Sequence, residues 1–75
     1  MNYIERIMGR INKLTGQVVS EYDIKTCFNR DDVEIEEIEC GYVSTYNAYV
    51  KGEKGIIQYV LEDSRLYDVY ILDEE

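Results

Sequence analysis

Asp31-Asp32-Val33-Glu34-Ile35-Glu36-Glu37-Ile38-Glu39-Cys40-Gly41 is the stretch on which the fold turns. Read as a strand, it alternates Val33 and Ile35 with Glu34 and Glu36, the period of two that a half-buried strand requires. The pattern then slips by one residue. A β-bulge at Glu36-Glu37 absorbs the slip and places Val33, Ile35, Ile38, Cys40 and Tyr42 on one face, with Glu34, Glu36 or Glu37, and Glu39 on the other. Read instead as a helix, Asp31 with Glu34 marks a start and Gly41 an end. The three β-branched residues favour the strand, because a helix would restrict their χ1 rotamers. The choice matters. A helix scatters the four glutamates around a cylinder, whereas a strand repeats same-face carboxylates at about 6.6 Å, twice the rise per residue.

Downstream of Gly41 the signals are consistently those of strands, expected over 42–50, 55–62 and 66–73. A Lys51-Gly52-Glu53-Lys54-Gly55 connection and a short Asp63-Ser64-Arg65 turn separate them, which makes an antiparallel meander. Ile57, Tyr59 and Leu61 alternate with Ile56, Gln58 and Val60, and both sets are fairly apolar. One face is therefore expected to receive helices and the other to be a contact surface. The acidic tail Asp73-Glu74-Glu75 is expected to fray.

Upstream, Ile4, Ile7, Met8, Ile11 and Leu14 share one helical face. Asn2 with Glu5 resembles a capping box and Gly16 fits a left-handed C-terminal cap, which predicts a helix over about 2–15. A shorter helix is predicted over about 20–29, capped by Ser20, with Glu21 and Asp23 suiting its N-terminal dipole and Val19 stapling onto Ile24. Its buried face is Ile24, Cys27 and Phe28. The expected architecture is α+β: two N-terminal helices packed on a three- to four-stranded antiparallel sheet, a meander, in one domain spanning 1–75. No proline, linker or repeat divides the 75 residues. A chain this short buries only about 60% of the surface it exposes when unfolded, so an oligomer or partner would help it.

Thirteen of the sixteen carboxylates follow Arg30, opposed there only by Lys51, Lys54 and Arg65. The first thirty residues are slightly basic, with Arg6, Arg10, Lys13, Lys25 and Arg30 against Glu5, Glu21 and Asp23. The acid is thus localised and predicts a negative surface for a basic partner. No apolar run approaches the roughly 20 residues of a membrane span, so no membrane association is expected. Cys27 and Cys40 match no disulfide framework, and free buried thiols in a cytosolic protein are expected.

Histidine is absent. That removes the usual base for a Ser or Cys nucleophile and the commonest transition-metal ligand. Glu36-Glu37 and Glu62-Asp63 are adjacent in sequence, but neighbours on a strand face opposite ways, and no EF-hand or phosphate loop is present. Neither catalysis, a cofactor nor a metal site is expected. Most tyrosines are expected to pack in or on the sheet, yet a sheet this small cannot bury all six of Tyr42, Tyr46, Tyr49, Tyr59, Tyr67 and Tyr70. Tyrosine exposed beside carboxylates is a protein-binding composition.

The expected function is that of a small acidic protein-binding inhibitor, a mimic of nucleic acid that blocks the basic groove of a DNA- or RNA-binding protein. The candidate partner-binding residues are Glu34, Glu36, Glu37, Glu39, Glu62, Asp63, Asp68, Tyr46, Tyr49 and Tyr70. In size and charge the chain resembles the small acidic inhibitors that phages use against host restriction or CRISPR nucleases. That similarity is compositional, with no shared motif, and implies the cytoplasm of a bacterial host. Two alternatives remain open: a reduced winged-helix module touching phosphates through Arg6, Arg10, Lys13, Lys25 and Arg30, and a structural subunit that forms a homodimer. A net charge of −8 opposes direct binding to nucleic acid.

Overall fold

The computed structural model describes residues 2–73, so the Glu74-Glu75 end of the acidic tail lies outside the described residues. Helix α1 (Tyr3–Asn12) and helix α2 (Glu21–Phe28) precede strands β1 (Val33–Glu39), β2 (Val43–Val50), β3 (Gly55–Glu62) and β4 (Arg65–Asp73). The strands form one antiparallel sheet in the order β1-β2-β3-β4, an α+β meander.

Both helices begin on capping boxes. Asn2 accepts from the Glu5 amide while Glu5 accepts from the Asn2 amide, and Ser20 and Asp23 reciprocate in the same way. The predicted end of α1 is corrected: regular helix stops at Asn12, Lys13 caps it in a right-handed conformation, and the left-handed turn arrives only at Gly16, with φ of +88°. Helix α2 ends on a left-handed residue, Asn29, with φ of +55°. Asparagine tolerates that region better than most residues.

One side of the sheet carries the core. Ile4, Ile7 and Ile11 of α1, Ile24 and Phe28 of α2, and Val19 between them are buried with Val33, Ala48, Val50, Ile57, Tyr59, Leu66 and Val69. Val19 and Ile24 flank the Ser20 cap and are both buried, as a hydrophobic staple requires. Gly55 lets α1 sit close to β3, since a Cβ there would lie 3.1 Å from Ile4 Cγ2. Tyr59 stacks on Tyr46 with ring centroids 5.2 Å apart, and burial pushes its phenol well above the ordinary pKa.

Polar contacts lock the helices to one another. The Tyr3 hydroxyl donates to the Phe28 carbonyl, and Arg10 donates to the Cys27 carbonyl at 3.1 Å, satisfying two carbonyls at the α2 C-terminus. Arg30 lies 5.5 Å from the centre of the Tyr3 ring and donates two hydrogen bonds to Asp32. It also reaches the Lys51 carbonyl at 3.2 Å and Glu53 at 3.9 Å. The hydrogen bond from Arg30 holds the Asp32 carboxyl below its usual pKa.

The bulge in β1 is also corrected. The register runs unbroken from Val33 opposite Val50 to Glu37 opposite Tyr46 and then jumps to Glu39 opposite Thr45. Ile38 is therefore the extra residue, and the slip lies one or two positions beyond Glu36-Glu37. Ile38, Cys40 and Tyr42 are exposed and add nothing to the buried core that Val33 joins. Cys27 and Cys40 are both free, the first half-buried, and the expected burial of Cys40 does not hold.

The β3–β4 connection is a two-residue hairpin with both central residues in the left-handed region, Asp63 at φ +50° and Ser64 at φ +67°. This geometry matches the twist of the flanking strands but suits Asn-Gly better than Asp-Ser. A non-glycine left-handed residue costs about 1–2 kcal/mol, whereas glycine adds about 0.5–1 kcal/mol of unfolded-chain entropy. Ser64→Gly is expected to raise the urea midpoint, with a net gain of up to about 1 kcal/mol. Ile24→Ala, at a fully buried position, should lower stability by about 2–5 kcal/mol in the same measurement.

Candidate functional site

Register parity sorts the sheet residues into two faces. Cross-strand partners share a face, so Ile35, Ala48, Ile57 and Ile71 form a row toward the helices. The opposite face carries the row Glu36, Asn47, Gln58 and Tyr70 and the parallel row Glu39, Thr45, Val60 and Asp68. Glu34 beside Tyr49, Ile56 beside Leu72, and Val43 beside Glu62 complete it. Among the described residues, both helices pack on the other side, and no element covers this face.

A directed chain of hydrogen bonds crosses its centre. Gln58 Nε2 donates to Asn47 Oδ1 at 3.0 Å, Asn47 Nδ2 donates to Tyr49 Oη at 3.4 Å, and the Tyr49 hydroxyl donates to Glu36 Oε1 at 3.0 Å. Every donor points toward β1. The chain ends on a carboxylate, which orients Glu36 without neutralising it. Asn47 is buried although it lies on the uncovered face, because its neighbours enclose it.

At the far edge the Tyr70 hydroxyl donates to Asp68 Oδ2 at 2.7 Å. That hydrogen bond stabilises the neutral phenol beside a charged acceptor and raises the Tyr70 pKa. Carboxylates thus rim a polar and aliphatic centre: Glu34, Glu36 and Glu39 along β1, Glu62 at one end and Asp68 on β4. Three strand spacings of about 4.8 Å separate Glu39 from Asp68 across the sheet. Among the described residues, Arg65 is the one basic residue that the register assigns to this face. Its guanidinium turns away to the Gly16 carbonyl, 3.3 Å distant.

Of the residues singled out in the sequence, Glu34, Glu36, Glu39, Glu62, Asp68, Tyr49 and Tyr70 come together on this face. Three do not. Glu37 lies opposite Tyr46 on the helix side, Tyr46 stacks on Tyr59 there, and Asp63 sits in the β3–β4 turn. The alternative between Glu36 and Glu37 resolves to Glu36, since the bulge falls after Glu37. Asn47 and Gln58 were missed by sequence reasoning. Their signal is present, as paired amides at outward positions of neighbouring strands, but only the register shows that they are partners.

Among the described residues, no three Cys, Asp or Glu side chains converge in a metal-binding group, and no helix is long and apolar enough to cross a membrane. No protein-family model, no curated protein and no solved structure matches this chain.

Asp68→Asn removes the charged acceptor from the Tyr70 hydroxyl. The Tyr70 phenol, which otherwise keeps its proton to higher pH than a free tyrosine, should then titrate nearer the ordinary value of 10.0. Following the tyrosine Cζ resonances by NMR across alkaline pH checks this. An unmoved Tyr70 midpoint would contradict the assigned hydrogen bond.

Proposed function

We propose that this protein is a small acidic inhibitor that binds a basic protein through the uncovered sheet face, occupying the groove in which that partner holds DNA or RNA. The observation that carries the reading is the grouping of Glu34, Glu36 and Glu39 on the one face that no helix covers, with Glu36 held by Tyr49. Carboxylates presented by a rigid sheet meet lysine and arginine side chains already arranged for phosphates. The charge accelerates encounter, and Tyr49, Tyr70, Val60 and Ile56 supply contact area once the surfaces meet. Interfaces of this kind combine an aromatic and aliphatic centre with a polar rim.

The runner-up, direct nucleic-acid binding by the helical layer, has less support. Arg30 is committed to Asp32, Glu53 and the Tyr3 ring, and Arg10 to the Cys27 carbonyl. Helix α2 then offers Lys25 beside Glu21 and Asp23. Inhibition of a host defence nuclease by a phage-encoded protein, in the bacterial cytoplasm, is the biological setting that this proposal favours.

Affinity capture from a bacterial lysate, with mass spectrometry of the bound proteins, tests the proposal. A nucleic-acid-binding protein should be captured, should be released by competing duplex DNA or RNA, and should bind more weakly as salt rises. Combined Glu34→Gln, Glu36→Gln and Glu39→Gln should reduce capture at least tenfold, whereas Glu37→Gln on the opposite face should not. Capture indifferent to all four changes and to salt defeats the proposal. Salt-sensitive binding of DNA by the isolated protein would defeat it in favour of the runner-up.

A further inference from the structure

The two edges of the sheet differ. The start of β4 is covered by the connection between the helices: the Gly16 amide donates to the Leu66 carbonyl at 2.8 Å, the Leu66 amide to the Gln17 carbonyl at 2.9 Å, and the Val19 amide to the Ser64 carbonyl at 3.1 Å. Among the described residues, β1 has no such cover on its outer side; its strand partner is β2. The bond from the Lys51 amide to the Asp32 carbonyl, 3.3 Å, sets the phase of that ladder. Bonded pairs alternate in antiparallel sheets, so Asp32, Glu34 and Glu36 turn their backbone groups to β2, and Ile35 and Glu37 turn theirs away.

We propose that this free edge is a docking strand for an extended, Lys- or Arg-bearing segment of a partner protein, which adds to the sheet as a fifth strand. The proposal rests on the reading of the partner as a basic protein and specifies how its chain is engaged. Charge selects the occupant. Strand β1 carries Glu34, Glu36, Glu37 and Glu39 and no cation, so a second copy pairing edge to edge would set glutamate against glutamate. Edge charges ordinarily protect a sheet from self-pairing. Here the outward charges favour a basic strand, whose lysine or arginine side chains would meet Glu34 and Glu36 on the uncovered face.

Exposed Ile38 and half-buried Ile35 add apolar contact along the edge. Beyond the N-terminal end of the strand the acidic path continues into a groove lined by Asp31, Asp32, Glu34, Tyr49, Lys51 and Glu53. An extended chain can follow it past the ladder.

The test uses the full ¹⁵N-labelled chain and a synthetic eight-residue peptide of alternating lysine and valine, with a control peptide N-methylated at every second residue. The control keeps the charge and loses the amide donors of one edge. Hydrogen exchange of the Ile35 and Glu37 amides should slow at least tenfold with the first peptide and not with the second. Glu37→Pro, which removes an outward amide at an exposed edge position, should weaken binding at least tenfold beyond Glu37→Gln. Should the proline variant unfold, the exchange measurement on the unaltered chain still decides. Equal binding of both peptides, no binding of either, or resonance shifts confined to Thr45, Asn47, Tyr49 and Gln58 overturns the proposal. Lysate capture that depends on Glu34, Glu36 and Glu39 but survives Glu37→Pro rejects edge docking and leaves the inhibitor reading standing. Edge protection by the peptide without such capture does the reverse.

Discussion

Two helices of ten and eight residues can shield one face of a four-stranded sheet and leave the other in water. That limit on apolar cover organises the molecule. Ile4, Ile7 and Ile11 from α1, with Ile24 and Phe28 from α2, bury Ala48, Ile57, Tyr59 and Val69, and every alternate residue is thereby committed to the opposite side. A slip of one residue would bring Glu34 and Glu36 under the helices, where two unpaired carboxylates would cost far more than the burial of Val33 and Ile35 returns. The register is therefore strongly specified, and the acidic face is its consequence.

The helical layer is held in place by more than apolar packing. Carbonyls at the end of α2 accept from Tyr3 and Arg10 on α1, so each helix satisfies groups that the other cannot satisfy for itself. Arg30 then ties the chain between α2 and β1 to the β2–β3 hairpin through Asp32, the Lys51 carbonyl and Glu53. As exposed ion pairs these are individually weak. Their position matters more, because they join the helices to the sheet beside the edge strand on which most of the outward glutamates stand.

Local signals made much of this legible. The capping boxes at Asn2 and Ser20, the Ile4, Ile7 and Ile11 spacing, and the alternation through β3 are written in consecutive residues, and an α+β meander follows from them. What escaped was non-local. The α1 terminus was misjudged because Leu14 continues the helical period while the chain has already turned. The bulge was misplaced because the sequence shows a phase slip without showing which residue the neighbouring strand leaves unpaired. On the uncovered face, Glu34, Glu36, Tyr49 and Tyr70 could be singled out as chemistry, but Asn47 and Gln58 gained meaning only as cross-strand neighbours.

The sequence by itself determined the element types, their order and the concentration of carboxylates after Arg30, because propensity, capping and alternation act over a few residues. Tertiary structure decided which carboxylates act together. Pairing placed Glu34, Glu36 and Glu39 on one uncovered face, sent Glu37 to the other, and directed Gln58, Asn47 and Tyr49 toward Glu36. Among the described residues it also left the outer side of β1 without a strand partner while the helix connection covered the start of β4. The physical reason is that strand register and edge cover depend on contacts between segments far apart in the chain, which no local pattern encodes.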